Sequence, residues 1–387
     1  MHLKLVTPDL TEIETLKSTF DELVPETERQ CMASLDTAAS LLKLSALQDK
    51  HILLNCHLTL STLMMIDILI KAGSTISVTY APDLVFHQDI LNKLNDNDMY
   101  IPFEDLKKTQ YKEYFDLVID YGGYLANILK PAAGFIELTH VEHKRYLDSQ
   151  SPVISVDASF LKHIETTLGT GDGFVRAVKK IALHYEENFT TQTFLIFGFG
   201  KVGRGIAHCL HQAGVPKNKI IIVEVRDKPL TQAKKNGYIG YNLVNQYEAI
   251  RLLLPKIDYA VTATGITGTI SRYFTLKDFE KVPYLANMGT YDEWGQQFPI
   301  SRVLHHKKPL NYILEIPTRI CYLDPIFALM IETSAHAFMD KKDESFKVYK
   351  PPKQLQRSIL QNWVDKSTMV DSLASVEKTV GEKFEMI

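Results

Sequence analysis

Cysteine is scarce in this chain of 387 residues, and none of the four (Cys31, Cys56, Cys209, Cys321) forms a CxxC pair or part of a disulfide ladder. A disulfide-stapled scaffold is therefore excluded, a reducing compartment fits, and no metal site is expected. Basic residues are not in excess. The 43 Lys and Arg stand against 46 Asp and Glu, a net charge of −3, which argues against a nucleic-acid partner. No apolar run approaches membrane-spanning length, and the start MHLKLVTPDLTEIE lacks the basic-then-apolar order of a secretory signal. No membrane partner is expected, and the expected location is cytoplasmic. Internal repeats and low-complexity linkers are missing as well. What is present is ordinary globular composition, 45% hydrophobic and 23% charged, in a chain long enough for two separate cores.

The organising stretch is 191–227, TQTFLIFGFGKVGRGIAHCLHQAGVPKNKIIIVEVRD. An apolar run leads into Gly198, Gly200 and Gly203, a helical pattern follows, and a second apolar run ends at Glu224. This is the pattern of a βαβ unit that holds a dinucleotide. Gly198 permits the tight turn, Gly200 a close approach to pyrophosphate, and Gly203 the packing of helix on strand. The helix N-terminus offers free N–H groups to phosphates. A carboxylate at Glu224 can accept both ribose hydroxyls and repels a 2′-phosphate, so NAD is expected over NADP.

Elsewhere, strands alternate with helices, which implies parallel sheets covered on both faces. Strands are predicted at 51–55, 75–80, 115–120, 135–139, 153–156, 259–262, 284–287 and 311–315. Helices are predicted through most of 1–50, at 58–72 ending on Gly73, at 85–94, 173–185 and 326–339, and in the tail to 387.

Several segments in one order resemble the S-adenosylhomocysteine hydrolase family. GFGKVGRGIA, IIVEVRD, VTATGITG and ANMGTYDE are similar to its cofactor domain. NCHLTLST resembles its CLHMTVET, VIDYGGYL its LDDGGDL, and Glu137 with Thr139 its EETTT. VDASFLKHIETTLGTGDG and KVYKPPKQLQRSILQNW also have counterparts, so the resemblance runs over about 50–365. It implies two doubly wound α/β lobes: a substrate lobe of 1–170 to which 326–372 returns, an inserted Rossmann lobe of 171–325, and a tail of 373–387. It further implies a small-molecule substrate in the interlobe cleft and a homodimer or homotetramer. In that family NAD removes a hydride from the 3′ carbon of adenosylhomocysteine, homocysteine leaves, water adds, and the hydride returns.

Carried over residue by residue, Lys162 matches the catalytic lysine and Glu165 its acidic partner. His57, Thr59, Glu137 and Asp157 would meet the substrate. NAD would contact Gly198, Gly200, Lys201, Val202, Gly203, Glu224, Val225, Thr139, Thr166, Thr262, Ala263, Thr264, Gly265, Asn287, Met288 and Gly289. Tyr322 stands where an asparagine meets the nicotinamide amide.

The departures are informative. Tyr121 replaces the family's catalytic acid, Tyr124 another acid, and Thr290 a histidine. Ser61 replaces a glutamate, and a base-contacting loop is shortened to Leu323, Asp324 and Pro325, which puts Asp324 where a histidine would be. A phenol titrates near 10, so Tyr121 cannot act as a base at neutral pH without strong perturbation. The parts that hold NAD are mostly kept, those that oxidise an alcohol (Lys162, Glu165 and His57) are partly kept, and those that expel a thiol and recognise adenine are largely lost. The expectation is an NAD-dependent enzyme with an altered substrate, oxidising or reducing a secondary alcohol or related carbon. The alternatives are a true but divergent adenosylhomocysteinase, and a non-catalytic NAD-binding regulatory homologue.

Overall fold

A computed structural model describes residues 26–29, 32, 34, 42–82, 84–139, 143–157, 159–339, 348–366 and 376–377. Of the helices expected over most of 1–50, the described residues show a helical turn at Glu26–Arg29 and a 3-10 turn at Leu42–Leu47; the rest, and most of the tail beyond 366, lie outside the described residues. The described residues form two units, one within 26–162 and 320–366, the other His163–Arg319 together with 376–377.

In chain order the first unit carries β1 (His51–Asn55), α1 (Leu60–Lys71), β2 (Thr75–Thr79), α2 (Gln88–Asp96), β3 (Leu117–Asp120), β4 (Phe135–Glu137) and β5 (Val153–Ser155). The short helix α3 (Phe160–His163) follows. The second unit carries a π-helical turn (Ile164–Gly169), α4 (Thr170–His184), β6 (Phe194–Phe197), α5 (Lys201–Gln212), β7 (Ile220–Glu224), α6 (Asp227–Lys235), β8 (Ile239–Asn242), α7 (Tyr247–Leu253), β9 (Tyr259–Thr262) and β10 (Tyr284–Asn287). The chain then returns through α8 (Ile320–Met339), β11 (Val348–Tyr349) and α9 (Lys353–Lys366).

Both sheets are wholly parallel. The first has the order β11-β5-β4-β3-β1-β2, the second β10-β9-β6-β7-β8. Each order reverses once, between β1 and β3 and between β6 and β9. Such reversals part the connecting chains at the carboxyl ends of two strands and leave a crevice where open α/β sheets bind ligands.

The strands read as continuous apolar runs because both faces are covered. In the second sheet Phe194, Ile196, Ile220, Ile222 and Val261 pack on one face with Phe174, Val178, Ile206 and Leu210 from α4 and α5. Leu195, Phe197, Ile221 and Val223 pack on the other with Phe274, Phe279 and Trp294. Helices α4 and α5 approach closely through glycine. A Cβ on Gly205 would stand 1.8 Å from the Thr167 carbonyl oxygen, and one on Gly171 would stand 2.5 Å from the Gly205 carbonyl.

Three expectations need correction. The helix expected at 85–94 spans Gln88–Asp96, because Val85 and Phe86 run extended beside Leu58, with Leu58 N–H donating to Val85 O (2.9 Å) and His87 N–H to Leu58 O (3.0 Å). The strand expected at 311–315 is instead a 3-10 turn, Leu310–Ile313. Between Pro309 and Pro317 the amides fold back, Tyr312 N–H onto Pro309 O and Leu314 N–H onto Asn311 O (both 3.1 Å). The shortened loop Leu323, Asp324 and Pro325 is helix, inside α8. Pro325 lacks the N–H that would reach the carbonyl four residues back, and the Trp363 indole N–H donates to that carbonyl, Cys321 O, at 2.7 Å. Glu28 caps the same helix by accepting from Ile320 N–H at 2.9 Å. No helix among the described residues is long and apolar enough to cross a membrane.

Candidate functional site

The second sheet's crevice is built largely from backbone. Gly198 adopts φ +96°, and a Cβ there would stand 2.4 Å from Ala263 O, so the turn after β6 lies against the turn after β9. Gly203 lies under Gly198, since its Cβ would stand 2.0 Å from Gly198 O. Gly200 caps α5, and Lys201 and Val202 form that helix's first turn. A Cβ on Gly200 or on Gly265 would meet nothing within 4 Å. The glycines therefore divide by role: Gly198 and Gly203 permit close backbone contact, whereas Gly200 and Gly265 border open space.

Glu224, buried at the end of β7, fastens this turn. Its Oε2 accepts from Phe199 N–H at 3.0 Å, and its Oε1 from Val225 N–H at 2.9 Å and Arg226 N–H at 3.1 Å. Burial pushes the carboxyl up, but the hydrogen bonds from Phe199 and Arg226 and the Arg226 charge outweigh it, so the group titrates below its ordinary value.

The turns after β9 and β10 are joined by Asn287 and Glu293. Thr262 Oγ1 donates to Asn287 Oδ1 at 2.8 Å, and Asn287 Nδ2 donates to Gly289 O, Tyr291 O and Lys307 O at 2.8–3.0 Å. Met288 N–H continues the ladder to Thr262 O at 2.9 Å. Glu293 is wholly buried and accepts from Thr264 N–H (2.7 Å), Thr264 Oγ1 (2.8 Å) and Gly265 N–H (2.7 Å). Its carboxyl is nevertheless pushed upward by burial, against the pull of those donors. The sequence reading missed Glu293, although it ends the segment ANMGTYDE. It also missed Asn311, whose Oδ1 is buried without a hydrogen-bond partner. In the π-helical turn, Glu165 Oε2 accepts from Thr166 Oγ1 at 3.0 Å. That turn is widened where α5 approaches, and the Cys209 thiol donates to Leu168 O at 3.8 Å.

The first sheet's crevice is built from side chains. At the end of β1, Asn55 Nδ2 donates to Asp120 Oδ1 at 2.7 Å, and its Oδ1 accepts from Ala81 N–H at 2.8 Å. Asp120 also accepts from Leu125 N–H at 2.8 Å. Burial raises its carboxyl to about 6, opposed by Asn55, the Leu125 and Tyr124 amides and the Arg145 charge. His57 Nδ1 accepts from Val85 N–H at 3.0 Å, which puts the neutral ring's proton on Nε2. The ring stands 6.0 Å from the Tyr121 ring, edge to face. Thr59 precedes α1 and shares a hydrogen bond with Ser61 at 2.9 Å. Tyr121 is buried, and its hydroxyl donates to the Met330 sulfur at 3.8 Å.

Glu137 ends β4. Thr139 donates to its Oε1 through both N–H and Oγ1, and Ser155 Oγ donates to its Oε2 at 3.2 Å. Burial raises this carboxyl to about 7, with the Asp157 charge pushing it further up and the Thr139 amide, Lys162 and Ser155 pulling it down. Lys162 and Asp157 are themselves buried, and both lie close enough to act on the Glu137 charge. Asp324 and Tyr322 lie in α8, where Asp324 is fully buried and accepts from Ser34 N–H at 2.9 Å.

No family model matches this chain. Among solved structures it is similar to a dipicolinate synthase polypeptide from Bacillus halodurans, at 10% identity and a TM-score of 0.47 over 76% of this chain and 99% of that one. It is also similar to the corresponding dipicolinate synthase polypeptide from Bacillus subtilis, at 9% identity and a TM-score of 0.47 over 76% of this chain and 97% of that one.

Proposed function

We propose that this chain is an NAD-dependent enzyme akin to S-adenosylhomocysteine hydrolase with an altered substrate, oxidising or reducing a secondary alcohol or related carbon of a small molecule. The observation that carries the reading is the turn after β6. Gly198 and Gly203 are needed by close backbone contacts, while Gly200 borders open space at the N-terminus of α5. That is a cradle a side chain would fill, placed where helix N–H groups favour a phosphate. The residues therefore fit a dinucleotide. Gly198 to Gly203 and Glu224 would hold its adenosine half, and 262–265 with 287–289 the other. When bound, NAD supplies the hydride acceptor.

The first sheet supplies proton handling. Lys162 would take the substrate hydroxyl proton, with Asp157 and Glu165 orienting it. His57 through Nε2, Thr59 and Glu137 would hold the substrate. Tyr121 is unsuited to replace a carboxylate base, because its hydroxyl is buried against a thioether. Asp324 is spent on the Ser34 amide inside the fold, and Thr290 is exposed. These observations favour a changed substrate over hydrolysis of adenosylhomocysteine. Denaturing the purified protein and identifying what it releases by mass spectrometry tests the cofactor, with NAD the expected product. Incubation with adenosylhomocysteine tests the substrate: rapid release of adenosine and homocysteine would overturn the altered-substrate reading.

A further inference from the structure

The charge at the end of β7 is not a bare carboxylate. Two residues beyond Glu224, Arg226 lays its guanidinium back over that side chain, with Nε 3.4 Å from Oε1 and Nη2 3.4 Å from Oε2. The Glu224 side chain is 4% exposed and that of Arg226 is 65% exposed. A carboxylate offers about four lone-pair positions, and Glu224 already receives five donors, three of them backbone N–H groups. The amide bonds are shorter and belong to the rigid turn. The two guanidinium bonds are longer, hence weaker, and come from the exposed partner, so they are the ones a ligand displaces.

We propose that Arg226 sets the cofactor choice of this site: by lying on Glu224 it cancels the charge that would otherwise reject a 2′-phosphate, so the second sheet accepts NADP as well as NAD. The inference rests on the dinucleotide reading above. A ribose with two free hydroxyls takes the acceptor positions that Arg226 gives up. A ribose bearing a 2′-phosphate leaves the guanidinium between two anions, where its positive charge offsets both. The expectation drawn from Glu224 alone, NAD over NADP, is thereby weakened by a residue two positions on.

The test is titration of the purified protein with NADH and with NADPH, followed by nicotinamide fluorescence. If a dinucleotide co-purifies, the NADP to NAD ratio released on denaturation is read in its place. In the wild type the two dissociation constants are expected within about tenfold of each other. Arg226→Gln is expected to widen that ratio against NADPH by roughly tenfold or more, with NADH binding changed less than about threefold. Arg226→Lys, which keeps the charge, retains most of the NADPH binding. A wild type that rejects NADPH by more than about a hundredfold, an unmoved ratio in Arg226→Gln, or an Arg226→Lys that behaves like Arg226→Gln overturns the inference and leaves the dinucleotide reading standing. Binding of neither NADH nor NADPH overturns both.

Discussion

The carboxyl edges of the two sheets are built by opposite means. In the second, the crevice is shaped by backbone: glycines at the turns and two buried carboxylates, Glu224 and Glu293, that tie down amide N–H groups. In the first, it is shaped by side chains that end up ionisable and buried: Asp120, Glu137, Asp157 and Lys162. A backbone cradle tolerates no added atom at its contact glycines, Gly198 and Gly203, and owes its shape to fixed amides. A side-chain cluster tolerates small changes of shape but is sensitive to charge. The contrast teaches that one edge owes its form to backbone contacts and the other to the charges of its buried side chains.

The sharpest way to break the comparison is with glycine. Gly203→Val drives a side chain into Gly198 O, which an added Cβ reaches at 2.0 Å. A backbone-on-backbone overlap has no flexible partner to yield, so a loss of about 3 kcal/mol or more is expected in urea denaturation. Gly200→Val is the counterpart. With nothing within 4 Å of its Cβ, the fold should lose less than about 1 kcal/mol while dinucleotide binding is abolished, as fluorescence titration would show. Equal damage to stability from both variants would erase the distinction between contact glycines and cradle glycines.

Next in size is Lys162→Met. As the proposed base its loss should cost about 10²–10⁴ in turnover. It also removes a charge that holds Glu137 down, so the carboxyl should rise above about 7, as carbon NMR of labelled glutamate would report. An unmoved Glu137 titration would mean that the two groups do not share one environment.

The pH dependence of stability sharpens the comparison further. Glu137 has an ordinary value of 4.5 and is raised to about 7 in the fold, and Asp120 moves from 3.8 to about 6. Between those values the folded chain binds more protons than the unfolded one. This part of the stability is therefore full below pH 4 and is lost as pH rises through 7. His51 and His163 act the other way. Burial lowers both from 6.5 to about 4, so the unfolded chain takes up the protons first and stability falls as pH drops from 6.5 towards 4. Glu137→Gln should recover roughly 2–3 kcal/mol at pH 8 relative to pH 5, measured by urea denaturation at both values. No difference between the two pH values would mean that the carboxyl is not buried as a charge.

The smallest effect is expected at Tyr121. Its hydroxyl donates to a weak acceptor, the Met330 sulfur, at 3.8 Å. Tyr121→Phe should cost under about 1 kcal/mol and leave any pH profile of activity unmoved. A large shift in that profile would make the phenol a proton carrier after all.

Much of the second sheet was legible because glycine positions report backbone geometry directly. Gly198, Gly203 and Glu224 occupy the places their spacing assigned, and the apolar runs of β6 and β7 mark their strands. Less of the first crevice could be read. Asn55, which clips Asp120 to the turn after β2, lies 65 residues from its partner, and no local pattern reports such a pairing. The segment 311–315 misled because its apolar residues satisfy a strand pattern while the prolines on either side turn its amides inward. Leu323 to Pro325 misled for another reason: the resemblance puts a base-contacting loop there, yet the segment is helical and the carbonyl its proline orphans is satisfied by the Trp363 indole.

The sequence by itself determined the alternation of strands and helices, the glycine turn after β6 and the carboxylate that ends β7. Those properties depend on neighbours a few residues apart, on apolar periodicity and on which positions can lack a side chain. Only the tertiary structure decided that Glu137, Asp157 and Lys162 share one buried environment, that Glu293 reaches the amides of Thr264 and Gly265, and that Asp324 is consumed within the fold. The reason is physical. Burial and the approach of distant charges set the protonation of a carboxyl, and both arise only when strands far apart in the chain are laid side by side.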